Sequence, residues 1–76
     1  MADLDLDCKG LNCPMPIVKI SRAMKGMAVG QKLAVQASDP SFKADVEAWA
    51  KKLGHTLVSF EEQNGVQHAL LEKRTA

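Results

Sequence analysis

The sequence of 76 residues contains neither a long hydrophobic segment nor an excess of one charge. Its apolar stretches are far shorter than the roughly 20 consecutive apolar residues that a membrane-spanning helix needs. Ten basic and nine acidic residues give a formal net charge of +1, with no block of like charges, so neither a nucleic-acid nor a membrane partner is indicated. The acidic start MADLDLD lacks the basic and apolar regions of a signal peptide, which predicts a cytoplasmic protein.

Cysteine and histidine are also scarce. Two cysteines, Cys8 and Cys13, are a poor disulfide framework for a small secreted domain, and in a reducing cytoplasm we expect a reactive or a structural thiol instead. Neither His55 nor His68 makes a paired metal-ligand spacing with the cysteines, so no metal site is predicted. The sequence also lacks a P-loop, a Rossmann fingerprint and a nucleophile elbow.

Strand patterns occur in three segments. Residues 4–8 alternate, with Leu4, Leu6 and Cys8 on one side, which predicts a half-buried strand with Cys8 in the core. Residues 31–37 alternate in the same way. Residues 56–71 resemble a hairpin around Asn64-Gly65, a dipeptide typical of a type I′ turn. A two-residue loop predicts the pairs Phe60 with Ala69, Val58 with Leu71, and Glu61 with His68. The last four residues, KRTA, are predicted to fray.

Helical patterns occur in the two segments between the strands. The first follows Gly10 and ends at Gly26, and the second begins with Asp39 as N-cap and Pro40 at the first helical position and ends at Gly54. Their apolar faces are predicted to contain Ile17, Ile20, Met24 and Met27 in the first helix, and Phe42, Val46, Trp49 and Leu53 in the second. We therefore predict one α/β domain over residues 1–76. It is a two-layer sandwich of order β-α-β-α-β-β, in which two helices cover one face of a four-stranded mixed sheet.

The segment Cys13-Pro14-Met15-Pro16 is predicted to open the first helix, with Cys13 at the N-cap, Pro14 at N1 and Pro16 at N3. Both prolines then fix the helix start without breaking a helical hydrogen bond. The positive end of the helix stabilises a thiolate by about 0.3–1 kcal/mol, which lowers its pKa by roughly 0.2–0.7 of a unit. Lys9, and less plausibly Lys19, would add to this effect. Cys13 is thus predicted to be a usable but mostly protonated nucleophile, with an inert, partly buried cysteine as the alternative.

The run LDCKGLNCPMPIVKI resembles the signature of the TusA/SirA-like sulfur carrier family, in which Gly-Leu-x-Cys-Pro-x-Pro follows a strand and opens a helix. Gly30, Asp39-Pro40 and Gly54-His55 match the family layout in order and spacing. The resemblance implies a sulfurtransferase that acts as a carrier. Cys13 would accept sulfane sulfur as a persulfide and pass it on, with no metal or organic cofactor. It also implies that the turn around Cys13 is shaped by Gly10, Leu11, Pro14 and Pro16.

The resemblance further implies two kinds of protein partner. The donor would be a cysteine desulfurase or a rhodanese-like protein. The acceptor would be a relay protein of the TusBCD, DsrEFH or DsrE type, serving tRNA thiolation, cofactor synthesis or dissimilatory sulfur oxidation. The basic residues Lys9, Lys19 and Arg22 are candidates for docking an acidic partner, although a stripe such as Lys19, Arg22 and Lys25 is more often simply a solvated helix face. Direct nucleic-acid or membrane binding is not expected.

Two other functions remain open from the residues themselves. A thiol-disulfide redox domain would use Cys8 and Cys13, and it would need both sulfur atoms exposed and close together. A non-catalytic regulatory or RNA-binding module is the other alternative. The near-neutral charge and the lack of exposed aromatic residues in the predicted strands weaken the RNA-binding version.

Overall fold

The computed structural model describes residues 2–12 and 14–75, and it contains six elements in the predicted order. These are β1 Leu4–Cys8, α1 Met15–Lys25, β2 Lys32–Ala37, α2 Phe42–Leu53, β3 Thr56–Gln63 and β4 Val66–Glu72. The strands form one sheet in the order β1-β2-β4-β3, in which β1 and β2 are parallel and the other neighbours antiparallel. The predicted two-layer α/β sandwich with a mixed sheet is confirmed. Neither α1 nor α2 in the described part of the chain is long and apolar enough to cross a bilayer.

The core lies between the two helices and one face of the sheet. Alternate strand residues point into it and are buried, and both helices contribute the residues that meet them. Cys8 is fully buried, as its strand phase predicted. Leu4 and Leu53 were predicted to face the core but are 43% and 45% exposed. Leu4 lies in the edge strand β1, which has a neighbour on one side only, and Leu53 is the last residue of α2.

The hairpin between β3 and β4 follows the predicted register only near its turn. Asn64 and Gly65 have φ values of 53° and 79°, as a type I′ turn requires, and Phe60 pairs with Ala69 and Glu61 with His68 as predicted. The predicted pair of Val58 with Leu71 is wrong. A β-bulge between Leu57 and Ser59 places Leu57 opposite Leu71 and leaves Val58 44% exposed. An extra residue in one strand shifts the alternation beyond it by one position.

Both helices begin later than predicted. The N-cap of α1 is Pro14 rather than Cys13, so Pro16 occupies N2 instead of N3. The N-cap of α2 is Ser41 rather than Asp39. Each helix is preceded by a turn. The turn before α1 is closed by the bond from Met15 N–H to Asn12 O, and the turn before α2 by the bond from Phe42 N–H to Asp39 O. Pro14 and Pro40 lie within these turns rather than within the helices. Helix boundaries shift in this way because a turn and a first helical residue have similar dihedral angles.

The C-terminal segment 73–75 is ordered against the domain, so the prediction that KRTA frays is wrong for these residues. The backbone of Lys73 pairs with Gln31 and Gly30, which extends the contact between β4 and the start of β2. Its side chain is buried, at 8% exposure, and its Nζ donates to the carbonyl oxygens of Met24 and Met27 at 2.7 and 2.6 Å. A cation drawn to the end of a helix is stabilised by the carbonyl groups there.

Candidate functional site

The candidate site lies at one end of the sheet, where the parallel strands β1 and β2 both finish. Cys8 at the end of β1 pairs with Ala37 at the end of β2, so the segments that follow them, residues 9–12 and 38–41, lie side by side. The carboxyl ends of parallel strands are a common place for binding sites, because the loops there converge. Cys13, the predicted sulfur-carrying residue, lies outside the described residues.

The turn that leads to residue 13 is held by three hydrogen bonds. Leu11 N–H donates to Cys8 O at 3.2 Å, Lys9 N–H to the Asp7 carboxylate at 3.0 Å, and Gly10 N–H to the Ser38 hydroxyl oxygen at 2.9 Å. Gly10 has a φ of +81°, which suits the third residue of a type II turn and favours glycine. Gly10 and Leu11 therefore belong to the turn that follows β1, and the bond to Ser38 joins this turn to the neighbouring loop.

The two prolines of the motif have different surroundings. Pro14 at the N-cap is exposed, whereas Pro16 at N2 is buried in the core and anchors the first turn of α1. Met15 between them is 45% exposed. The N–H of Met15 is bonded to Asn12 O, that of Val18 is bonded to Pro14 O, and proline has no N–H. The helix dipole favours an anion near this start of α1.

Cys8 is the second thiol of this region, and it is inert where it lies. Burial raises the pKa of its thiol, the neighbouring charge of Asp7 raises it further, and the positive charge of Lys19 partly opposes both. Because the side chain is fully buried and the raised pKa keeps it protonated at neutral pH, Cys8 is a poor nucleophile. A redox pair would need this sulfur exposed, so the geometry weighs against the redox function.

The basic residues proposed for docking are all exposed. Lys9 lies in the turn before residue 13, and Lys19 and Arg22 lie on α1, followed by Lys25 one turn further along. Lys19 lies one turn after Met15, at the motif end of α1, and its positive charge lowers the pKa of Cys8. Lys9 and Lys19 thus place two cations near the motif, and the Asp7 carboxylate lies in the same turn as Lys9.

Sequence reasoning missed the second loop of the site. Ser38 accepts the Gly10 N–H, and Gln67, which is 5% exposed at the start of β4, donates through Nε2 to Asp39 O at 2.6 Å. Asp39 also accepts the backbone N–H of Ser41 through its carboxylate at 3.1 Å. Gln67 has the same strand phase as the buried Ala69, and that phase was the signal that this polar side chain points inward.

Other candidate residues lie away from this end or at the surface. Trp49, predicted to be in the core, is only half-buried, packs against the core and donates its indole N–H to the Ser21 hydroxyl at 3.0 Å. His68 and Glu61 are paired across the hairpin and exposed. Within residues 2–12 and 14–75, no group of three or more His, Cys, Asp or Glu side chains is arranged to hold a metal ion.

Comparison with known proteins relates the chain to sulfur carriers. The family model described as Sulfurtransferase TusA matches residues 4–73. The chain is 43% identical over 75 residues to the sulfur carrier protein TusA of Allochromatium vinosum, which covers 96% of this chain and 99% of that protein. It is also 43% identical over 72 residues to the putative sulfur carrier protein YrkF of Bacillus subtilis. That match covers 95% of this chain but only 39% of YrkF, so the chain spans well under half of that relative.

A solved structure has the same fold. The SirA-like protein of Desulfitobacterium hafniense aligns with a TM-score of 0.82, over 95% of this chain and 99% of that chain. The two sequences are 19% identical, so this likeness shows a common architecture.

Proposed function

The chain belongs to the TusA family of sulfur carrier proteins, and from this we propose that Cys13 carries sulfane sulfur as a persulfide between two protein partners. The observation that carries the proposal is the arrangement around residue 13. A hydrogen-bonded glycine turn precedes it, Pro16 anchors the helix after it, and the residues on either side, Asn12 and Pro14, are exposed. A partner that brings a reactive sulfur to residue 13 would therefore meet exposed chain on both sides of it.

The proposed reaction consists of two exchanges of sulfur–sulfur bonds. The thiolate of Cys13 attacks the outer sulfur of a donor persulfide, the S–S bond of the donor breaks, and the donor cysteine leaves as a thiolate. An acceptor thiolate then attacks the outer sulfur on Cys13, and Cys13 leaves as a thiolate. Each step breaks one S–S bond and forms one, so no electrons are gained or lost and no cofactor is required. This carrier activity is a sulfurtransferase activity that depends on both partners.

The burial of Cys8 supports this function. If the thiolate of Cys8 reached a persulfide on Cys13, it would attack the inner sulfur, release sulfide and leave a disulfide between the two cysteines. That reaction would discharge the carrier without a partner. A fully buried thiol with a raised pKa does not compete with the acceptor, because both access and ionisation are reduced.

Membership of the family implies that the protein interacts with a sulfur donor and a sulfur acceptor. We propose a cysteine desulfurase or rhodanese-like donor and a thiol-bearing relay protein as acceptor, both in the cytoplasm. The partners would contact the exposed Met15 with apolar groups and place acidic side chains near Lys9, Lys19 and Arg22. Since charges at the rim of an interface mainly affect the association rate, transfer should slow as the salt concentration rises.

The test is mass spectrometry after incubation with polysulfide or with a cysteine desulfurase and cysteine, followed by alkylation to preserve the persulfide. Trypsin cuts after Lys9 and Lys19, which separates Cys8 in peptide 1–9 from Cys13 in peptide 10–19. The expected result is one added sulfur on peptide 10–19 that a reductant removes. It should persist in Cys8→Ala and disappear in Cys13→Ser. Sulfur on peptide 1–9, or only a disulfide joining the two peptides, would contradict the proposal.

A further inference from the structure

A surface pocket of about 340 Å³ lies at the end of the domain opposite the Cys13 motif. Lys73 lines this pocket. It follows Glu72, the last residue of β4, which pairs with Lys32 at the start of β2. The motif, in contrast, follows the end of β1 and lies beside the end of β2. Its lining includes the side chains of Ser21, Lys25, Trp49, Leu53, His55 and Lys73. The sulfur-transfer chemistry uses none of them.

One wall of the pocket is formed by two aromatic rings and an aliphatic side chain. The rings of Trp49 and His55 are 5.2 Å apart and inclined by 31°. The bond from the Trp49 indole N–H to the Ser21 hydroxyl at 3.0 Å holds the larger ring in place. Leu53, 45% exposed, adds an aliphatic surface. Aromatic faces of this kind bind planar rings by stacking and by burying apolar area.

The polar groups of the pocket are mostly hydrogen-bond donors. An ammonium has three N–H donors, and Lys73 uses two of them on Met24 O and Met27 O. His55 accepts the Arg74 N–H through Nδ1 at 3.2 Å, so a neutral ring carries its proton on Nε2. Burial, followed by the charge of Lys73, lowers the pKa of His55 and favours this neutral form. Lys25 provides an exposed second cation, and no carboxylate side chain lines the pocket among the residues described.

Three carbonyl groups near the ends of the helices that border the pocket already accept hydrogen bonds, which reduces the negative potential that they add to it. Met24 O in α1 accepts from Lys73. Ala50 O in α2 accepts the N–H groups of Gly54 and His55, and Leu53 O accepts from the Thr75 hydroxyl at 3.1 Å. The polar side chains that line the pocket are therefore cations and neutral hydrogen-bond donors beside two aromatic rings.

We propose that this pocket binds a small carboxylic acid with a flat apolar body. The ring of the ligand packs on Trp49, and its carboxylate accepts hydrogen bonds from Lys25 and Lys73. The volume lies near the lower end of the range for small-molecule pockets, which suits a ligand with one ring. The inference is independent of the proposed sulfur transfer, because the pocket and the motif lie at opposite ends of the sheet.

The experiment is a titration of ¹⁵N-labelled protein with benzoate, up to about 10 mM, followed by two-dimensional NMR, since a one-ring ligand is expected to bind at millimolar concentration. Trp49 is the only tryptophan in the chain, so its indole N–H gives a single signal inside the pocket. Benzoate should shift this signal and the amide signals of residues 53–55 and 73–75. Benzamide, which has the same ring without the charge, should bind about tenfold more weakly.

The charge of the pocket is tested with a matched pair of variants. Lys25→Glu reverses an exposed charge in the lining, and Lys51→Glu reverses an exposed charge on α2 outside it. We expect the first to weaken benzoate binding about fivefold and the second to leave it unchanged. Absence of any shift at Trp49, equal binding of benzamide, or equal effects of the two variants would overturn the proposal. Both substitutions are at exposed positions, so neither is expected to prevent folding.

Discussion

Replacing Lys73, whose ammonium is buried, is the strongest test of how this small domain is stabilised. Lys73→Met keeps most of the aliphatic side chain and removes the charge, together with its bonds to Met24 O and Met27 O. A hydrogen bond to a charged group contributes about 1.5–3 kcal/mol, so the two bonds together contribute roughly 3–6 kcal/mol. The variant no longer buries an ammonium, which offsets part of that loss. We expect the free energy of unfolding to fall by about 2–4 kcal/mol.

That change is large for a chain of this size. At about 0.05–0.15 kcal/mol per residue, the whole domain has a stability of only roughly 4–11 kcal/mol. The midpoint of thermal unfolding should therefore fall by more than about 10 °C. Urea unfolding followed by circular dichroism measures the free energy directly.

Arg74→Met is the matched control, because it removes a neighbouring charge that is exposed. Its side chain is 56% exposed and its contact with Glu72 is 4.0 Å long, so we expect a change of less than about 1 kcal/mol. If Lys73→Met changed stability no more than Arg74→Met, or increased it, the desolvation of the ammonium would outweigh its two hydrogen bonds. Lys73 would then not stabilise the domain through its two hydrogen bonds.

Three further predictions concern protonation, thiol access and backbone strain. Stability should fall as the pH drops from about 7.5 to 5.5, because the unfolded chain protonates His55 near 6.5 while its pKa in the folded protein is lower. Thermal unfolding should show this drop, and His55→Gln should reduce it; an equal drop in the variant would contradict the assignment. Iodoacetamide should modify Cys13 in the native protein but Cys8 only after unfolding, and native labelling of peptide 1–9 would show that Cys8 is accessible. Gly10→Ala should destabilise the protein by about 1–2 kcal/mol through its positive φ alone, since a Cβ there meets no atom within 4 Å; unchanged urea unfolding would contradict this.

Local patterns predicted the elements well but not their ends. Alternation of apolar and polar residues identified β1, β2 and the inward position of Cys8, and Asn64-Gly65 identified the hairpin turn. Both signals are local, because the face on which a strand side chain lies and the dihedral angles of a turn depend on neighbouring residues. The bulge at Val58 carries no such signal. It depends on how β3 fits against β4 and the core, so the alternation that holds at Phe60 fails two residues earlier.

The candidate site was likewise predictable only where it is formed by residues close together in sequence. The motif indicated the turn at Gly10 and the helix after it, whereas the support from Ser38 and Gln67 came only from the folded chain. Each of these contacts joins residues 28 positions apart in sequence. The strand phase of Gln67 predicted that its side chain points inward, but not which carbonyl group it would reach.

The sequence by itself determined the order of helices and strands, the glycine turns and the family motif, because each of these is encoded in residues close together along the chain. The tertiary structure decided which groups satisfy the buried polar side chains and which surfaces remain open. Lys73 reaches carbonyl groups 46 and 49 residues away, and this contact orders the C-terminal segment against the pocket. A buried donor must find an acceptor wherever packing places one, so such pairs follow from the fold as a whole.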